Sequence, residues 1–213
     1  MNALVDKLKK DMENFAASLN MNMPSVSIPE DFPKIDWSKI FNLNKKKQPK
    51  IQSVEIDWTT SSGAIKYQGV CGSCYAFATA DAVSAMYAIY KFGFNVASSV
   101  QQIIDCPNNG LTFGCGGGFL EGAYLYIQTN GITTNFQYKY TGKVETCKIN
   151  NGTFKIKGFK TLPKGDCNTL INELKIKPIA VGIAGYRLQF YKSGVFDDCN
   201  NYIDHGVLLV GYK

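Results

Sequence analysis

What the chain has little of narrows it first. Its 213 residues include one histidine, His205. Charged residues are 19% of the whole against 45% apolar ones, a balance that excludes wholesale disorder. No apolar run is long enough to cross a bilayer. The opening Met-Asn-Ala-Leu-Val-Asp-Lys-Leu-Lys-Lys also lacks the apolar stretch of a secretory signal. The net charge of +6 is spread along the chain. Its densest basic run, Lys45-Lys46-Lys47 with Lys50, reads as a solvated or cleavable segment rather than a nucleic-acid patch. Neither nucleic acid nor membrane is an expected partner.

Seven cysteines pull the other way, toward an oxidising compartment: lysosomal, vacuolar or secreted. The sequon Asn151-Gly152-Thr153 is compatible with that route. Cysteines that imply secretion, above an N-terminus that does not supply it, give the expectation that the natural start lies upstream.

The stretch Gln68-Gly69-Val70-Cys71-Gly72-Ser73-Cys74-Tyr75-Ala76-Phe77 organises the rest. Phe77, Ala80, Val83, Ala85, Met86 and Ile89 recur at helical spacing, and Gly93 is a stop. Cys74 is thus predicted where a loop becomes a helix. The unpaired N–H groups and partial positive charge of a first turn favour a thiolate, the nucleophilic form. Three readings fit Cys71 and Cys74. They are a redox couple, half of a zinc site with Cys106 and Cys115, or one structural cysteine beside one nucleophile. No second close C-x-x-C pair supports the zinc site.

Cys71-Gly72-Ser73-Cys74-Tyr75 fits the C-G-[SA]-C-[WY] string around the nucleophile of papain and cathepsin proteases, whose histidine follows about 130–150 residues later. His205 follows Cys74 by 131 residues. The chain resembles the papain-like cysteine peptidases, with a cathepsin L-like pattern. Val54-Glu55-Ile56-Asp57-Trp58, Gly63-Ala64-Ile65 and Gln68-Gly69 resemble the family's mature N-terminus, with Thr59 where arginine is common. Val100-Gln101-Gln102-Ile103-Ile104-Asp105-Cys106 and Gly114-Cys115-Gly116-Gly117-Gly118-Phe119-Leu120 resemble its L-V-D-C and G-C-N-G-G segments, with Gly116 in place of asparagine. Gly131-Ile132-Thr133-Thr134 with Tyr138-Lys139-Tyr140, and Asp204-His205-Gly206-Val207-Leu208-Leu209-Val210-Gly211-Tyr212, match two more.

The resemblance implies an α+β fold of two lobes: a helical one over about 60–158 and a β-barrel-like one over about 159–213. Runs at 154–158, 179–183 and 206–210 read as strands on their own pattern. It implies a cysteine endopeptidase and zymogen with Cys74 as nucleophile, His205 as its acid–base partner, and Gln68 with the Cys74 N–H as oxyanion donors. Gly117 and Gly118 would pair with extended substrate. Phe119, Leu120, Gly182 and Ile203, with neighbouring Asp204, would bind substrate at the main specificity pocket. Cys71 would bond Cys115 and Cys106 would bond Cys147. Cys199 would pair in the family's manner with a cysteine beyond the present end, or with Cys167, which is not a usual family position, or both would stay free; Cys74 would stay reduced. No metal or other cofactor is implied. The expected partners of this monomer are polypeptide substrates, its own pro-segment and cystatin-like inhibitors.

Residues 1–50 carry a short amphipathic helix (Leu4, Val5, Leu8, Met12, Phe15 and Leu19 on one face) and then Pro24, Pro29 and Pro33. They are expected to be the remainder of a pro-segment ahead of a peptidase domain at 51–213. The family's orienting asparagine lies in an N-S-W-G motif, and no N-S-W occurs in this chain. A protease truncated at both ends, its last strands missing and an edge left open, is the expectation. The rival is a pseudoprotease that binds peptides without cleaving them.

Overall fold

A computed structural model describes residues 56–213. The helix and pro-segment expected over 1–50 lie outside the described residues.

Helices come first along the chain. The short strand β1 (Ile56–Asp57) leads through α1 (Thr59–Ser62) to α2 (Cys74–Tyr87). Tyr75, Ala76, Ala80, Val83, Ala85 and Met86 are all buried, and so are Ala78 and Ala82 on other faces. An α-helix apolar all round belongs inside a core. Its polar residues bond backwards along the helix: Thr79 Oγ1 donates to Tyr75 O at 2.9 Å and Ser84 Oγ to Ala80 O at 2.8 Å. A wider π turn, Ala88–Phe92, continues it to Gly93, whose φ of 75° ends the helix left-handed, as the sequence predicts.

Two helices pack on α2: α3 (Val100–Asp105) and α4 (Leu120–Asn130). Val100, Ile103, Ile127, Ile132 and Phe154 fill the space between them. Each such side chain contributes ~1.5–3 kcal/mol of burial. Disulfides Cys71–Cys115 and Cys106–Cys147 close loops of 44 and 41 residues around this core. Each typically stabilises by ~2–4 kcal/mol. Gln101 and Gln102 are wholly buried yet fully used. Gln101 holds Asp105, Lys143 O and the Thr141 N–H. Gln102 holds the Tyr126 hydroxyl, Asn151 O and the Thr133 N–H.

Strands dominate the second half. Helix α5 (Cys167–Leu174), capped by Asp166 accepting from Thr169 N at 3.0 Å, precedes β2 (Ile179–Ile183). Antiparallel to β2 runs β3 (His205–Leu209), in a register that sets Ile183 opposite His205 and Gly182 opposite Gly206. Strand β4 (Gly211–Tyr212) pairs with β1, and Trp58 Nε1 donates to Leu174 O at 2.7 Å. Beyond Ile156 only Leu174 and Pro178 are fully buried among the described residues. The core is therefore the helical one.

One expected strand does not form. Over 154–158 burial alternates as the pattern requires, but the backbone makes a single bridge, Phe154 to Ile132. The phenol of Tyr87 takes the next position: it accepts from Lys155 N at 2.9 Å and approaches Thr153 O and Lys155 O at 2.9 and 3.0 Å. A side chain satisfies the groups that a neighbouring strand would have paired.

Two substitutions test this packing. Ser99 caps α3 by accepting from Gln102 N at 3.0 Å, and it donates to Tyr138 O at 2.8 Å while wholly buried. Ser99→Ala is expected to lower stability by about 1–2 kcal/mol, read as a drop in urea midpoint at constant slope with both disulfides intact. An unchanged midpoint would contradict the cap. Gly72 leaves no room for a side chain, since an added Cβ would lie 2.7 Å from Cys115 O. Gly72→Ala is expected to cost about 1–3 kcal/mol by the same assay, because backbone anchored by the Cys71–Cys115 bond must move.

Candidate active site

The site begins in the loop before α2. Gln68 Nε2 donates to Cys71 O at 3.0 Å. A carbonyl only accepts, so the amide nitrogen must face it. One N–H is thereby spent on fixing the amide, and the second remains to be aimed elsewhere. Cys71 is tied to Cys115. The redox couple and the zinc site both need a free Cys71 thiol, and the disulfide removes it.

Ser73 stands at the N-cap of α2 without capping it by side chain. Cys74 is the first helical residue, partly exposed, with its thiol free. Its N–H has no acceptor within the helix. Beside it, burial pushes the Tyr75 phenol up to about 12, and the nearby charges of Cys74 and Asp105 act in the same direction. Neutral Tyr75 donates to Gly114 O at 3.1 Å, holding the glycine-rich loop.

The strand half reaches this helix end through β3. A Cβ added to Gly206 would lie 3.3 Å from both Cys74 O and Tyr75 N, so β3 rests on the first turn of α2 backbone to backbone. His205 is the residue before Gly206 and is partly exposed. Gly185 lies flat against it, with room for nothing between a Cβ there and the His205 ring. Asp204, expected among the substrate-binding residues, has its carboxylate committed elsewhere: it accepts from Gly185 N at 2.6 Å, and its N–H donates to Ile183 O at 3.1 Å. It clips together the two ends of the loop between β2 and β3, immediately before His205.

Of the other expected substrate-binding residues, Gly117 has an open approach and a φ of 104° that only glycine adopts with ease. Gly118 is pressed against the Tyr75 ring. Leu120 and Gly182 line one cavity of about 390 Å³, with Tyr124, Phe159 and Ala180. Ile203 faces Gly182, its Cγ2 2.8 Å from where a Cβ would be. Phe119 is 60% exposed and does not line that cavity. A second cavity of about 490 Å³ adjoins the first at Tyr124, Phe159 and Ile179 and touches neither Cys74 nor His205. Cys167 and Cys199 are both free and exposed.

Two polar residues of the site escaped the sequence. Ser73 carried a signal, since serine is a preferred N-cap residue and it directly precedes the predicted helix start. Tyr140 carried none of its own, being 72 positions from Gln68, to whose carbonyl it bonds.

Comparison with known proteins now places the chain. Residues 52–213 match the family model described as papain family cysteine protease. The senescence-specific cysteine protease SAG12 of Arabidopsis thaliana is 38% identical over 168 residues, covering 75% of this chain and 48% of that protein. Vignain of Vigna mungo is 39% identical over 166 residues, 74% of this chain and 45% of the relative. The chain spans about half the length of the curated relatives it matches. Among solved structures, the Carica candamarcensis cysteine protease CMS1MS2, in complex with E-64, superposes with a TM-score of 0.70 at 30% identity, over 74% of this chain and 76% of that one. A match over residues 52–213, a shared α+β fold and a free cysteine at the start of the central helix converge: the chain belongs to the papain family of cysteine proteases.

Proposed function

We propose that this chain carries a cysteine endopeptidase site in which Cys74 attacks the substrate carbonyl and His205 manages the proton. The observation that supports it best is the seating of Gly206 on the first turn of α2, which puts the neighbouring His205 at the end of the helix that Cys74 begins. The sulfur adds to the carbonyl carbon, and the oxygen takes the negative charge. The free N–H of the Gln68 amide and the N–H of Cys74 are the donors for that oxygen. His205, which takes the thiol proton as the sulfur attacks, gives it to the amine nitrogen as the C–N bond breaks, and water then releases the acyl group by the reverse sequence.

Substrate would lie extended along Gly117 and Gly118, with Leu120, Gly182 and Ile203 forming an apolar specificity pocket and Phe119 at its rim. Residues 1–50 would be the remainder of a pro-segment, and 51–213 the peptidase domain, helical to about 158 and strand-bearing after it. Two disulfides favour a lysosomal, vacuolar or secreted location. No helix among the described residues is long and apolar enough to cross a membrane.

An epoxide-type cysteine-protease inhibitor, read by peptide mass spectrometry, tests the nucleophile. Label is expected at Cys74 and not at the exposed Cys167 or Cys199; label on the exposed thiols alone would favour a peptide-binding module instead. Gln68→Ala should lower turnover ~10²–10³-fold while leaving alkylation of Cys74 by iodoacetamide unchanged. Equal loss of both would remove Gln68 from the oxyanion site. A peptide library should show preference for hydrophobic or aromatic side chains second before the cleaved bond, each buried there to the extent of ~1.5–3 kcal/mol. A preference for acidic residues at that position would contradict the assigned pocket.

A further inference from the structure

We propose that Tyr140 is a positioning residue for the oxyanion site, acting through a hydrogen-bonded chain from Ser73 to Gln68. The inference rests on the protease reading above and adds to it a residue that neither the nucleophile nor the oxyanion donors include.

The Tyr140 hydroxyl lies 2.6 Å from Gln68 O and 2.9 Å from Ser73 Oγ. A backbone carbonyl only accepts, so the phenol proton must point at Gln68 O. The phenol oxygen is then free to accept from the Ser73 hydroxyl, which is wholly buried and whose other acceptor, Cys71 O, is a more distant 3.4 Å away. The protons are thus ordered in one direction: Ser73 to Tyr140, Tyr140 to Gln68 O. The ring itself is fixed by edge-to-face packing on Phe77, with centroids 4.9 Å apart.

This arrangement joins three things that the chemistry needs in register. Ser73 is the N-cap of the helix that begins at Cys74, and its hydroxyl is drawn to Tyr140 rather than to the first-turn N–H groups. Ala76 N and Phe77 N donate to Ser73 O at 2.9 and 3.0 Å, and the Cys74 N–H ahead of them is left for an oxyanion. Gln68 is held at two points, by its carbonyl on Tyr140 and by its Nε2 on Cys71 O at 3.0 Å. Removing the phenol oxygen would release the first point and leave the second, so the remaining N–H of the amide would no longer be aimed from a fixed backbone.

Tyr140→Phe keeps the ring and its packing, and Ser73→Ala removes the other end of the chain. Two reactions separate positioning from folding. Iodoacetamide alkylates the Cys74 sulfur with loss of iodide and develops no charge on a carbonyl oxygen. A peptide aldehyde takes the sulfur onto its carbonyl carbon, and its oxygen occupies the oxyanion site. We expect each variant to alkylate at the parent rate within about twofold. Each should bind the aldehyde about tenfold more weakly, less than the ~10²–10³ of deleting a donor outright. The double variant should be no weaker than either single one, as members of one chain require. Unchanged aldehyde affinity in Tyr140→Phe, with the parent chain binding normally, would overturn the positioning role and leave the protease reading standing. A parallel fall in alkylation and aldehyde binding would reduce Tyr140 to a structural role. A parent chain that binds no aldehyde would overturn both.

Discussion

Everything in the site depends on one contact between backbones. Gly206 presses on the first turn of α2, 3.3 Å from Cys74 O and Tyr75 N as measured from where a Cβ would be. A strand can approach a helix end this closely only where it has no side chain to interpose. Because β3 is held in register by β2, the approach fixes the strand's rotation as well as its distance. His205 inherits both constraints from its neighbour. Gly182, opposite Gly206, keeps the partner strand thin at the same level.

A second constraint acts on the other side chain that the chemistry calls on. The loop before α2 carries Gln68, and it has little apolar mass to hold it: Ile65, Tyr67 and Val70 are all exposed. Polar ties replace packing there. The Cys71–Cys115 bond, the Gly72 N–H on Cys115 O at 2.9 Å and the Tyr140 phenol on Gln68 O pin the loop at three places. The same device recurs deeper in, where buried Gln101 and Gln102 hold loop backbone that no strand pairs. Buried polar groups with every partner present specify one arrangement more sharply than apolar contacts do.

How much of this was legible in sequence follows from what each feature requires. Helix α2 announced itself through a local pattern, since period and stop signal both lie within twenty residues, and its start at Cys74 followed from the glycine-framed loop before it. Strands β2 and β3 showed as short apolar runs. The run at 154–158 showed too, but strand formation needs a neighbour, and the phenol of Tyr87, far off in sequence, took that place. The assignment of Cys74, His205 and Gln68 rests on motif strings rather than on any physical periodicity. The bond of Tyr140 to Gln68 O and the brace of Asp204 on Gly185 were illegible, because each is a pairing between distant or turn-related backbone groups that no residue type declares. The resemblance supplied the pairing of Cys71 with Cys115; spacing alone left it open to a redox couple or a metal site.

The claim on which the rest stands is that β3 lays His205 beside the Cys74 sulfur. A short bifunctional alkylating reagent, able to join a thiol to an imidazole across three carbons, measures it directly. The account predicts a Cys74–His205 cross-link in the peptide map, lost when Gly206→Val lifts the strand from the helix. Single-ended modification of Cys74, with His205 free in the parent chain, would contradict it.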